Sequence, residues 1–180
     1  MSTRPKAYWN STHFDKTIHT FLNRTMSVLG NAVAQFAQTN LASQVGNGEC
    51  WTLAERALQS AGARTSTEIM GNVGPNDNYV WGTAITAANL EAGDIIQFRN
   101  YTFRFDSSDG AWRTESRPHH TAIVMSVDTS GAVEVYECNV NNSKNVQQNR
   151  LYLRTGAMSG GSVTVSGQMW FYRPQARPTA

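Results

Sequence analysis

A cysteine, a histidine and a carboxylate–amide pair stand in chain order here, and together they could run acyl transfer through a thiol. Cys50 closes the glycine-rich loop of VGNGECWTLAERALQSAGA. Cys50, Leu53, Ala54, Ala57, Leu58 and Ala61 recur at helical spacing, and Gly62 supplies a stop, so the cysteine is predicted to open an amphipathic helix. A thiol on a first helical turn feels the positive end of the helix dipole and unpaired backbone N–H groups. Both favour the thiolate, which is the nucleophile. The same N–H groups could hold a developing oxyanion. The competing reading is a small buried core cysteine, the usual fate of a free thiol.

The candidate base lies in PHHTAIVMSV, where a histidine heads an apolar strand. His120 directly abuts the TAIV run and is favoured over His119, which should face the other way. After the turn at residues 128–131 comes AVEVYECNV. Strand alternation puts Val133, Val135, Glu137 and Asn139 on one face and Tyr136 and Cys138 on the other. A hairpin would set His120 beside Glu137 and Asn139. His120 would then take the Cys50 proton and later protonate a leaving amine. Asn139 is the expected orienter of the imidazole, because an amide oxygen brings no second buried charge. Glu137 is the other candidate, expected as a supporting carboxylate. A solvated strand-end carboxylate is the alternative for Glu137.

The elements that must position these groups follow from periodicity. Residues 1–12 are expected to be a flexible lead, residues 13–174 one α+β domain, and residues 175–180 a frayed tail. Ser11 or Thr12 could cap a helical run carrying Phe14, Ile18, Val33 and Phe36, interrupted at Gly30–Asn31. NVGPNDNYVWG is turn-rich, and its Asn76-Asp77-Asn78 lacks EF-hand spacing. Strands are predicted at IIQF and YTFRF, then over 121–127, 132–140, 150–154 and 169–173. Helices first and antiparallel strands afterwards give helices packed on an antiparallel sheet. Trp51 and Trp81 could wall a substrate groove or be partly buried core.

Composition narrows the partners. The 180 residues carry a net charge of +2 with 16% charged residues, too balanced to argue for nucleic acid. No apolar stretch is long enough for a membrane span. The polar start lacks the apolar core of a secretory signal, so a cytoplasmic location is expected. Cys50 and Cys138 do not make a disulfide framework. His13 and His19 do not have metal-pair spacing, and no Cys/His cluster points to zinc. No cofactor is expected.

Four motifs in order, ECWTLA, GDIIQF, HHTAIV and ECN, resemble the CHAP and NlpC-type branch of the papain-like superfamily over roughly residues 40 to 174. The resemblance implies a papain-like α+β core and amidase or endopeptidase chemistry on a peptide or peptidoglycan-type substrate. It also makes Gln44, six residues before the cysteine, a candidate oxyanion donor, with a surface-loop glutamine as the alternative. VGNGECWTLA, VWG, GDIIQF, HHTAIV, NVNN and YRP are similar, more nearly still, to the cysteine-proteinase-fold domain of fungal actin-patch scaffolds and plant hydroxyproline-rich proteins. That likeness keeps a second class open, an interaction domain with a protein partner and no turnover.

Overall fold

The structure, a computed structural model, describes residues 28–178. The expected lead over 1–12, the candidate cap at Ser11 or Thr12, His13 and His19 lie outside the described residues. Among the described residues three α-helices precede the sheet: α1 over residues 28–39, α2 over Cys50–Ser60 and α3 over Ser66–Met70. The seven strands are β1 (Thr83–Ile85), β2 (Ile95–Ser107), β3 (Trp112–Val127), β4 (Ala132–Glu137), β5 (Gln147–Tyr152), β6 (Gly156–Met158) and β7 (Gly161–Arg173). They form one antiparallel sheet in the order β1-β7-β2-β3-β4-β5, with β6 paired to β7. The predicted α+β class holds.

Burial explains the strand sequences. Ile95 and Ile123, paired across β2 and β3, join Leu53, Ala54, Ala57 and Leu58 of α2 in one core. Their strand neighbours Ile96, Phe98, Ala122 and Val124 point the other way into a second core of strand residues and Leu90. Two buried faces require a continuous apolar run such as IIQF rather than alternation. IIQF and YTFRF form a single strand, bent where the β2–β7 register shifts between Arg99 and Thr102 and Asn100 adopts a positive φ of 52°.

Several boundaries differ from expectation. Helix α1 runs unbroken through Gly30 and Asn31, and Gly30 serves a close approach rather than a break: a Cβ there would meet the Ala92 carbonyl oxygen at 2.7 Å. There α1 meets the turn at Gly93, whose φ is +85°. Strand β4 stops at Glu137 rather than Val140, and Asn139 takes a φ of 59°. Strands β3 and β7 each begin earlier than predicted, since their polar N-terminal stretches pair with the distal half of β2. Residues 175 and 177 bond back to the body of the domain: the Arg64 N–H donates to the Gln175 carbonyl at 2.8 Å, and Arg177 pairs with Glu68 at 3.0 Å.

The α1 crossing yields a prediction. A Cβ at Gly93 would sit 1.8 Å from the Gly30 carbonyl oxygen, whereas one at Gly62, also at positive φ, would meet nothing within 4 Å. Gly93→Ala should therefore lower the unfolding free energy from urea titration by more than about 2 kcal/mol, and Gly62→Ala by only about 1 kcal/mol. Equal midpoints for the two variants would contradict the crossing.

Candidate active site

The loop before α2 sets the cysteine in place. The Asn47 side-chain oxygen accepts from the Glu49 N–H at 3.1 Å and from the Thr52 hydroxyl at 2.6 Å. Glu49 is the residue that precedes the helix, but its carboxylate makes no cap; it accepts from Asn139 Nδ2 at 2.7 Å and pairs with Lys144. Cys50 is half-buried on the first turn. The His120 ring and the backbone N–H groups of Thr121 and Trp51 bear on its sulfur and favour the thiolate.

His120 reaches the thiol from β3, on which Phe98 of β2 is its cross-strand partner. Its Nε2 lies 2.8 Å from Glu137 Oε2, with the ring N–H angled off the line between them. By elimination, Nδ1 faces the thiol. Glu137 is fully buried. Arg117, 4% exposed, clamps it twice, with Nε to Oε2 at 2.9 Å and Nη2 to Oε1 at 2.5 Å. Asn149 Nδ2 adds a bond to Oε1 at 2.9 Å.

The register explains why Glu137, and not the expected Asn139, faces the imidazole. Pairing of β3 with β4 ends at Ile123 opposite Tyr136; continued, it would have put Asn139 opposite His120. It does not continue. The chain leaves the sheet after Glu137, the two strands part, and Asn139 turns to the Glu49 carboxylate. Alternation would carry Asn139 to the imidazole only through two more residues of strand, and the strand ends at Glu137.

Other expectations are corrected in the same way. Trp81 is fully buried and donates to Gln97 Oε1 at 3.1 Å, so it is core rather than groove wall. Gln44 is exposed and spends its amide on the Gly46 carbonyl at 3.0 Å, which leaves it no aim at the site. Trp51 does line the cavity beside Cys50. His119 lines the cavity beside Cys50 but commits its ring elsewhere, donating Nε2–H to the Asp77 carbonyl at 2.8 Å and packing on Tyr79. Sequence reasoning missed Arg117, Asn149 and Asn47. Asn47 was visible as the asparagine of VGNGEC; the other two carry no motif and meet Glu137 only through pairing.

Electrostatics follow from this geometry. Burial works against the Cys50 thiolate, yet the His120 bond and charge and the two backbone N–H groups bring the thiol below its ordinary value. Burial likewise works against the imidazolium, but Cys50 and Glu137 push His120 up to about 9. Burial opposes the Glu137 charge too, and His120 and Arg117 overcome it, holding the carboxyl at about 2. Cys138, by contrast, is raised to about 12 by burial and by neighbouring negative charge. Among the described residues no group of three or more His, Cys, Asp or Glu could hold a metal ion. No helix among them is long and apolar enough to cross a membrane.

The AIM3/BBC1 Cysteine proteinase-fold domain family matches residues 15–178. Altered inheritance of mitochondria protein 3 from Debaryomyces hansenii is 30% identical over 136 residues, which are 69% of this chain and 14% of that protein. The chain thus spans a small part of the curated relative it matches. Among solved structures, the crystal structure of Ly7917 has a TM-score of 0.49 at 19% identity, covering 80% of this chain and 62% of that one. Ly7917 with the hydrolyzing product of MDP has a TM-score of 0.48 at 20% identity, over 81% and 62%.

Two outcomes test the site as built. Iodoacetamide should label Cys50 well before Cys138 at neutral pH, read by peptide mass spectrometry; preferential labelling of Cys138 contradicts the assignment. The depressed Glu137 contributes stability that is present above its ordinary 4.5 and is lost as pH falls through about 2. Acid unfolding followed by circular dichroism should span that window, and Arg117→Met, which strands a buried carboxylate, should cost about 3–5 kcal/mol at neutral pH.

Proposed function

The chain belongs to the AIM3/BBC1 cysteine proteinase-fold domain family, and on that premise we propose that it is a thiol-dependent hydrolase that cleaves an amide bond in a peptide or peptidoglycan-type substrate. One observation carries the reading: a thiol at a helix N-terminus is bonded to an imidazole whose far nitrogen rests against a buried, arginine-clamped carboxylate. A nucleophile, its base and the group that orients the base form the connected set that nucleophilic catalysis requires.

In this reading the Cys50 thiolate attacks the amide carbonyl. His120, charged by the thiol proton, gives that proton to the departing amine and leaves a thioester. The neutral imidazole then draws a proton from water, which attacks the thioester, and the acid leaves with the thiol restored. Glu137 steadies the imidazolium and its tautomer. The free N–H groups of the first α2 turn receive the oxyanion. Asn47, which lines the cavity at the thiol, is the second donor in place of Gln44, because its oxygen is engaged and its Nδ2 is available. Catalysis in this scheme needs neither metal nor cofactor. Cytoplasmic residence, where thiols stay reduced, suits two free cysteines.

The second reading, an interaction domain that keeps the fold without turnover, is favoured by the 14% share of a much longer relative that the match occupies. A binding module gains nothing from an activated thiol, so the thiol chemistry separates the two.

The pH dependence follows with its sign. The thiolate is lost as pH falls through the lowered Cys50 value, and the imidazolium is lost as pH rises through about 9. Hydrolysis should therefore fall on the alkaline side near 9, while alkylation of Cys50, which needs only the thiolate, should not fall there. Cys50→Ala and His120→Ala should abolish turnover with the fold retained, and His119→Ala should keep it; the reverse histidine pattern would overturn the assignment of the base. Glu137→Gln should cost more turnover than Asn139→Ala. Asn47→Asp keeps the acceptor but loses the donor, and should lower kcat by about 100-fold, whereas Gln44→Ala should change it little.

A further inference from the structure

Two cavities of similar size, about 420 Å³ and about 440 Å³, flank the site and meet at His119 and Asn139. Cys50 lines the first and His120 does not; His120 lines the second and Cys50 does not. We propose that these are the acyl and amine arms of one groove, and that the preferred substrate is an amide with an apolar acyl side and a polar, uncharged amine side. This rests on the thiol-hydrolase reading.

Chemistry assigns the arms. A carbon–sulfur bond forms at Cys50 as the carbon–nitrogen bond breaks, so the acyl group stays with the cysteine in the first cavity. The departing nitrogen takes the His120 proton, so the amine leaves through the second cavity.

The linings then set the preferences. The first arm is walled by Trp51, Val73, Pro75 and Tyr79. Trp51 and Tyr79 meet edge to face with ring centroids 6.4 Å apart, and Tyr79 packs on His119 at 5.0 Å, a continuous aromatic surface. The one carboxylate at its rim, Glu49, is already paired with Lys144. An apolar side chain is desolvated against that aromatic wall, and a charged one finds no free counterion.

The second arm is lined by Thr114, Glu115, Ser116, Asn141 and Asn142 besides the histidines. Its guanidinium, on Arg117, is already bonded to Glu137, to Glu115 at 3.2 Å and to the Ser116 carbonyl at 2.9 Å. Amides and hydroxyls remain to bond a ligand, and no unpaired charge does. A large apolar amine would strip water from those groups and give nothing back.

The test uses peptidyl Michael acceptors that alkylate Cys50 and carry substituents on both sides of the electrophile. Rates are followed by intact mass and divided by the iodoacetamide rate of the same preparation. Leucine on the acyl side should react at least ~10-fold faster than aspartate, and serinamide on the amine side faster than tryptophan amide. Val73→Asp should erase the leucine preference. Equal acyl-side rates, or faster reaction with tryptophan amide, would overturn the arm assignment while leaving the hydrolase reading in place. Failure of iodoacetamide itself to label Cys50 would remove the thiolate on which both depend.

Discussion

Glu137 carries a charge with no access to water, and the rest of the site is arranged around that fact. Burying a lone carboxylate would cost far more than a domain of this size can spare, so it must be paired and hydrogen-bonded or neutral. Arg117 supplies two bonds, Asn149 a third, and His120 closes the set at 2.8 Å. These partners come from two strands other than the carboxylate's own: Arg117 and His120 from β3 and Asn149 from β5. The carboxylate can therefore exist in its ionised form only when β3, β4 and β5 are registered correctly. Fold and electrostatics are one constraint here, because the same pairing that assembles the sheet creates the negative charge against which an imidazolium is stable.

The motifs around the site are held by a second polar set. Gln97 of β2 accepts from the Trp81 indole at 3.1 Å and from the Thr121 hydroxyl at 2.8 Å. The Thr121 backbone N–H in turn helps to lower the Cys50 thiol. A buried glutamine thus fixes the residue beside His120 from behind. Asp94, at the start of the same strand, accepts from Arg173 at 3.1 and 3.0 Å and from the Glu91 N–H at 2.8 Å. That tie joins GDIIQF to YRP and anchors β7 at the end nearest β1. The conspicuous residues of both motifs are explained by structural duty, without any contact with a substrate.

Flexibility, where the site has it, lies outside this polar frame. The stretch over residues 71–80 borders the Cys50 cavity through Val73, Pro75 and Tyr79 and carries no regular structure. It is held by side-chain bonds, Arg99 to Asn78 at 3.0 Å and His119 to the Asp77 carbonyl at 2.8 Å. Local bonds to an exposed loop open at lower free energy than a sheet ladder. The Cys50 cavity is thus bounded on one side by a segment held by local bonds rather than by a sheet ladder.

Local signals determined a good deal. The helical period after VGNGE placed Cys50 on a first turn, the apolar run after HH chose His120 over His119, and helices before strands gave the α+β class. These depend on neighbours along the chain, whose spacing sequence records directly. Which polar residue meets the imidazole was not recorded there. Glu137 and Asn139 share a face only while the strand lasts, and the strand ends between them because Asn139 turns to a carboxylate ninety residues away in the chain, Glu49. Trp81 and Gln44 were misplaced for the same reason, since burial and amide direction are set by partners remote in sequence. Arg117 and Asn149 carry no local pattern at all. Their role arises when antiparallel pairing brings three strands around one carboxylate, and a buried charge must take its partners from wherever the tertiary structure puts them.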